Sequence, residues 1–209
     1  LQHERRPATV PPLAKRRQRQ RGHPVAPIEL EVDVVGTPEE VWAAIATGPG
    51  ITSWYVPHQI EEREGGAANA SFGPGMEVTG VVTGWDPPNR FAYGGDDDGP
   101  GLAFEWFVEA RDGGSCVVRL VNSGFGTGTE WDDHYDAMHE GWKMFMMNLQ
   151  LHCEHFAGQA GSASLPMATW PGEPAANWTH AAQVLGFDPS PAPGDRIEIA
   201  SDFRIDRQK

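Results

Sequence analysis

WDDHYDAMHEGWKMFMMNLQLHCEHF, residues 131–156, is the stretch whose reading decides the fold. Trp131, Tyr135, Met138, Trp142, Phe145, Leu149, His152 and Phe156 recur at steps of four and three, which predicts one apolar stripe along a long helix. Asp132, Asp133, Asp136, Glu140, Lys143, Gln150 and Glu154 fall off the stripe, toward water. At about 1.5 Å per residue such a helix is about 40 Å long. Its aromatic and methionine side chains need a broad apolar surface to lie on.

The residues before it supply that surface as strands. Ile28 to Val35 alternates apolar Ile28, Leu30, Val32 and Val34 with acidic Glu29, Glu31 and Asp33, the pattern of a half-buried strand. Thr37-Pro38-Glu39-Glu40 predicts a capped helix start, with Val41, Trp42, Ile45 and Ala46 on its buried face. Gly48-Pro49-Gly50 is expected to break it before a short helix, Ile51 to Tyr55. Strands are then expected at Val56–Glu64, Ala68–Phe72, Met76–Trp85, Arg90–Tyr93, Leu102–Arg111 and Ser115–Asn122. Gly73-Pro74-Gly75, Asp86-Pro87-Pro88-Asn89 and Asp112-Gly113-Gly114 mark tight turns between them, so neighbours run antiparallel.

The order is strand, two short helices, six strands and a long helix. That implies an α+β fold in which one curved antiparallel sheet wraps around the C-terminal helix, since nothing else is long enough to cover its apolar face. A gap between such a sheet and helix, closed at one end by the short helices, is a natural small-molecule site.

Several short motifs in this order resemble a known family. They are Thr37-Pro38-Glu39-Glu40-Val41-Trp42, Ile51-Thr52-Ser53-Trp54-Tyr55, Gly80-Val81-Val82, Trp85-Asp86-Pro87-Pro88-Asn89-Arg90-Phe91 and Gly141-Trp142. Together they resemble the START/SRPBCC (Bet v 1-like) superfamily, in the branch named after the activator of the heat-shock protein 90 ATPase. The resemblance implies a helix-grip fold with a hydrophobic cavity. Related proteins bind lipids, hormones or polyketides, act as cyclases or assist chaperones, so fold alone does not fix the role.

Composition bounds the alternatives. The 209 residues carry a net charge of −13, unevenly placed: residues 1–24 hold seven Lys/Arg against Glu4, a net of +6, which leaves −19 for the remainder. So acidic a body repels nucleic acid and anionic membranes, and neither is an expected partner. No apolar run approaches the ~18 residues of a membrane span, and the N-terminal region lacks a secretory apolar stretch. The cytoplasm is therefore the expected location. Cys116 and Cys153, mid-strand and mid-helix, read as buried free thiols.

Three segments are expected: a basic, disordered leader over 1–27, the helix-grip domain over 28–157, and a Pro/Gly-rich extension over 158–209. Within the extension, Met167 and Trp170 could anchor the linker, Ala175–Leu185 reads as a short helix, and Asp195–Ala200 reads as a strand.

No phosphate-cradling glycine loop with its lysine, HExxH, paired CxxC or GxSxG is present. Glu130, Asp132 and Asp133 at the start of the long helix read as groups that complement its dipole, leaving Gly124–Gly128 a poor anion site. His152, Cys153 and His155 lack the second cluster that a metal needs, so no metal or other cofactor is expected. Glu105, between Phe104 and Trp106, should point away from the cavity, whereas Asn122, Tyr135 and His152 should reach inward.

The leading expectation is a binding protein for a small hydrophobic or amphipathic molecule, lined by Trp54, Phe72, Met76, Phe104, Trp106, Tyr135, Met138, Trp142 and Phe145. An interaction protein for a chaperone is the second expectation, through the acidic sheet face and the 94–101 loop. A cofactor-free cyclase or hydratase, with Tyr135 as its candidate group, is the third.

Overall fold

The computed structural model describes residues 26–95, 101–126, 129–163, 171–192 and 195–198. Most of the basic leader, much of the 94–101 loop, Met167, Trp170, Ile199, Ala200 and the side chains of Glu130, Asp132 and Asp133 lie outside the described residues. Contacts divide the chain into two compact units, Leu1–Leu165 and Pro166–Lys209.

The first unit runs β1 (Ile28–Val35), α1 (Pro38–Ala46), α2 (Gly48–Thr52), β2 (His58–Ile60), β3 (Ala68–Ser71), β4 (Glu77–Val78), β5 (Val81–Asp86), β6 (Arg90–Gly94), β7 (Ala103–Arg111), β8 (Ser115–Ser123) and α3 (Thr129–His155). This is the α+β helix-grip architecture. The capping box of α1 is present: Glu40 N donates to Thr37 Oγ1 at 3.3 Å, and Thr37 N donates to Glu40 Oε2 at 2.9 Å.

Gly48-Pro49-Gly50 does not separate two helices; it begins the second. Thr47 caps α2 by accepting from Gly50 N at 3.1 Å, and Pro49 sits in the first turn, where its missing N–H leaves nothing unpaired. Gly50 packs so closely on α1 that a Cβ would run into the Ala43 carbonyl.

The strands form two ladders rather than one. A five-stranded antiparallel sheet has the order β1-β8-β7-β6-β5, and a three-stranded sheet has the order β2-β3-β4. The single strand expected over 76–85 is split at Thr79-Gly80, because Glu77–Val78 pairs with β3 while Val81–Asp86 pairs with β6. Gly80 sits at the crossing, where a Cβ would meet the Gly94 carbonyl. Ala68 N donates to Gly80 O at 2.8 Å, and an isolated bridge between Ala67 and Val81 joins the ladders. The strand expected over 56–64 shortens to His58–Ile60 for the same reason: its partner β3 offers only Ala70, Asn69 and Ala68.

Register sets the inner face of the large sheet. Leu30 pairs with Leu120, Leu120 with Trp106, and Trp106 with Phe91. One row along, Ile28 pairs with Asn122, Asn122 with Phe104, and Phe104 with Tyr93. Side chains directly opposite share a face, so these two rows pave the concave surface. Glu105 faces the other way and holds Arg90 at 2.6 Å.

α3 lies on this pavement. Its buried residues are Trp142, Met146, Leu149, His152 and Cys153, with Trp131, Tyr135, Met138 and Phe145 partly buried against the core. This row turns away from the 131–156 stripe at its C-terminal end, where Met146 and Cys153 are covered and Phe156, past the helix end, is 53% exposed. A strict seven-residue repeat drifts by about 20° per heptad on a straight helix, so the stripe leaves the sheet before the helix ends. Both cysteines are buried and free.

The second unit contains α4 (Pro174–Leu185), ended by Gly186 in the left-handed conformation at φ 79°. Phe187 N returns to Ala182 O at 3.0 Å, and the Trp178 indole donates to Pro189 O at 2.6 Å. Residues 195–198 carry no strand.

Asn122 ties helix to sheet. Its Oδ1 accepts from Trp142 Nε1 at 3.2 Å, and its Nδ2 donates to Ala103 O at 3.1 Å. Asn122→Ala would orphan the buried Trp142 indole and remove a donor from the part-buried Ala103 carbonyl, and is expected to lower stability by about 2–3 kcal/mol; urea denaturation checks this, and a loss within error would contradict the role.

Candidate functional site

Most of the space between sheet and α3 is filled by rings. Trp106 sits between Trp54 and Trp142, with ring centroids 5.7 and 5.6 Å away, both edge-on. Tyr55 packs on Trp142 at 4.9 Å and on Phe145 at 4.3 Å. Burying such a ring removes about 150–250 Å² from water, so each contributes several kcal/mol in gross terms. Trp54 is fixed further by its indole, which donates to Ala44 O at 2.9 Å.

Beside this stack a slot of about 100 Å³ stays open. The small sheet gives it Ala68 and Ala70, the turn after β3 gives Phe72, the large sheet gives Tyr93 and Phe104, and α3 gives Met138. Tyr55 and His58, on the chain between α2 and β3, complete the wall. Tyr93 stacks on Phe104 at 5.0 Å, and His58 lies 5.4 Å from Tyr55 and 6.2 Å from Tyr93, centroid to centroid.

Of the nine expected lining residues, Phe72, Phe104 and Met138 face the slot. Trp54, Trp106 and Trp142 are spent in the packed stack beside it, with Phe145 against Tyr55. Met76 lies on the surface, 45% exposed. Tyr135 turns to Phe125 and His139 instead. Asn122 does reach inward, but both ends of its amide are engaged. His152 is buried between two clefts of about 170 and 410 Å³ along the C-terminal half of α3, not in the slot.

The polar side chains at the slot, Tyr55, His58, Thr79 and Tyr93, are not among the residues expected from the sequence. Alternation along β6 was a usable signal for Tyr93, since Phe91 is buried and Tyr93 points the same way. His58 gave none beyond its place two residues before Ile60. Its main-chain N–H donates to Thr52 Oγ1 at 2.9 Å, which pins β2 to the end of α2.

The His58 ring is 7% exposed, and its Nδ1 lies 2.7 Å from Val56 O. A carbonyl can only accept, so Nδ1 carries the proton and Nε2 presents a lone pair. Nε2 is buried without a hydrogen-bond partner among the described residues. Burial lowers the His58 pKa, with the Val56 hydrogen bond opposing this more weakly, so the ring is neutral near pH 7. Burial also pushes the hydroxyls of Tyr55 and Tyr93 above their ordinary range. The Trp106 indole is directed toward the Tyr93 hydroxyl and would favour its ionised form, yet no well-aligned hydrogen bond forms and Nε1 is unpartnered. The slot thus disfavours charge, and His58 Nε2 is a buried acceptor in its wall that no described residue engages.

Among the described residues, no three His, Cys, Asp or Glu side chains gather as metal ligands do. Cys153 lies in another cleft, its thiol raised to about 11 chiefly by burial. Neither it nor the tyrosines are activated as nucleophiles at neutral pH.

The depressed pKa of His58, shared in direction by His152, has a consequence for stability. Below the ordinary value of 6.5 the unfolded chain takes up protons that the folded chain resists. Stability is present above that value and declines as pH falls toward the folded pKa. The urea midpoint is expected to be lower at pH 5.5 than at pH 7.5, with a smaller difference in His58→Phe; equal midpoints in the native protein would contradict it.

Known proteins place this geometry. Among solved structures, the chain is similar to protein BH1534 of Bacillus halodurans, with a TM-score of 0.54 at 19% identity over 62% of this chain and 98% of that one. The Aha1 dimer from Colwellia psychrerythraea matches with a TM-score of 0.52 at 19% identity, over 63% of this chain and 98% of that one. DynU16, a protein in the dynemicin biosynthetic locus, matches with a TM-score of 0.54 at 19% identity, over 70% of this chain and 57% of that one. At these identities the likeness is one of fold. No curated protein matches the chain. A sequence profile described as Activator of Hsp90 ATPase homolog 1-like protein matches residues 36–154, more than half of the chain. The chain therefore belongs to the Activator of Hsp90 ATPase homolog 1-like family.

Proposed function

We propose that this protein binds a small apolar molecule in the slot between the sheet and α3. The observation that carries this reading is the slot itself, whose walls come from both sheets and from α3 and are mainly aromatic or aliphatic. At about 100 Å³ it is well below the ~300–1,000 Å³ of sites for drug-sized ligands. It suits one aromatic ring or a short alkyl segment, and a larger molecule would place only one end there. The drive is apolar burial, about 25 cal/mol per Å² in gross terms. The family and the likeness to a protein from a biosynthetic locus are in keeping with a ligand role.

Toluene is a sufficient probe. Its titration is expected to shift the Met138 methyl resonance, and Ala70→Leu, which fills the slot from β3, should weaken binding by about tenfold or more while leaving the fold intact. A Met138 methyl that does not move at saturating toluene would end this reading.

A second reading, interaction with a chaperone of the kind the family is named for, is favoured by one observation. Met144, Met147 and Leu151 lie on one side of α3 and are 47, 53 and 45% exposed. With Val35 of the sheet edge they leave an apolar strip open to solvent. Replacing all three α3 residues by Glu is expected to abolish retention on an immobilised chaperone of that family and to leave the toluene shift unchanged. Undiminished retention of the triple variant would remove the strip from consideration.

A further inference from the structure

Among the described residues, one buried side-chain polar atom in the walls of the slot has no partner. His58 is more than nine-tenths buried, its Nδ1 proton is committed to Val56 O at 2.7 Å, and its Nε2 lone pair meets no donor among the described residues. A buried acceptor without a partner is uncommon in folded proteins, because its lost hydration is not replaced. This one belongs to a ring in the slot wall, next to Tyr55 and Tyr93. Apart from Thr79, the other side chains of the lining are hydrocarbon or ring faces, among them Ala68, Ala70, Phe72, Phe104 and Met138.

Building on the reading that the slot holds a small apolar molecule, we propose that its ligand is an uncharged ring bearing a hydroxyl, a phenol, whose O–H donates to His58 Nε2. The chemistry follows from what the slot lacks and what it rejects. It lacks a donor for Nε2, which a hydroxyl supplies. Among the described residues its lining holds no cation, so a carboxylate or phenolate would enter with its charge uncompensated. A plain hydrocarbon would fill the space and leave Nε2 unpaired. Tyr55 and Tyr93 pack against the His58 ring and help to cover Nε2, so the ligand reaches it by displacing them. The hydroxyl then lies at the inner end, with the rest of the ring between Phe72, Phe104 and Met138.

The test compares phenol, toluene and benzoate on the full chain and on His58→Phe, which keeps a ring and removes the acceptor. In a dry slot without an acceptor, phenol is disfavoured because its hydroxyl loses water and gains nothing. The ratio of phenol to toluene affinity is therefore expected to fall about tenfold in His58→Phe, and benzoate should not bind either protein. On the native protein, phenol and not toluene should move the ¹⁵N resonance of His58 Nε2 upfield, as accepting a hydrogen bond does. This second measurement decides the matter even if the variant does not fold. If phenol and toluene bind but Nε2 stays put and the ratio is unchanged, the phenol assignment is overturned and the apolar site stands. If neither ligand binds, the slot reading fails and takes this inference with it.

Discussion

The hydrogen bond from the Trp142 indole to Asn122 is the constraint on which the rest of the structure depends. Asn122 is fully buried on β8, at the register position between Ile28 of β1 and Phe104 of β7. By engaging it, α3 is fixed at one point along the sheet and in one rotation about its own axis. That rotation presents Trp142 to Trp106 and Met138 to the neighbouring space, while Met144 and Met147 are left outside. A helix held only by non-directional apolar contact could slide or roll with modest change in buried area; a directional bond in a dry interior removes that freedom.

The same constraint explains why the interior is nearly full and yet not solid. Three tryptophans meeting edge-on occupy the centre, and large flat rings leave angular gaps that small side chains do not reach. The gap here is bounded by Ala68 and Ala70, where β3 offers methyl groups opposite the bulk of Phe104. Small residues on one wall and aromatic residues on the other define its shape, and its size follows from how little β3 projects.

Much of the fold was legible in the sequence because its signals are local. The α1 start was written in Thr37-Pro38-Glu39-Glu40, where a side chain and a backbone three residues apart satisfy one another. The outward turn of Glu105 followed from alternation alone, and Arg90 confirms it from the next strand. The helix over 131–156 declared itself by period, although its true buried row included Met146 and Cys153. What could not be read was pairing between distant strands. Residues 76–85 alternate well enough for one strand, and only the position of Gly94 shows why the ladder must change partners at Gly80. The slot was missed in detail for a related reason. Apolar character says that Trp54 and Trp106 go inside, but not that they fill the centre while His58 and Tyr93 border the space that remains.

The seam at Gly80 has a structural consequence of its own. One wall of the slot belongs to the three-stranded ladder and the other to the five-stranded ladder, joined across the seam by a few backbone contacts such as Ala68 to Gly80. The tryptophan stack and the Asn122 anchor draw on the larger sheet, on α3 and, through Trp54, on the segment after α2, and none of their residues lies on the short ladder. The short ladder therefore works as an interchangeable facing: residues 68–72 can be recut to a different contour while the frame that supports them keeps its shape. In such a design, what is admitted and what keeps the molecule folded are inscribed in separate stretches of the chain.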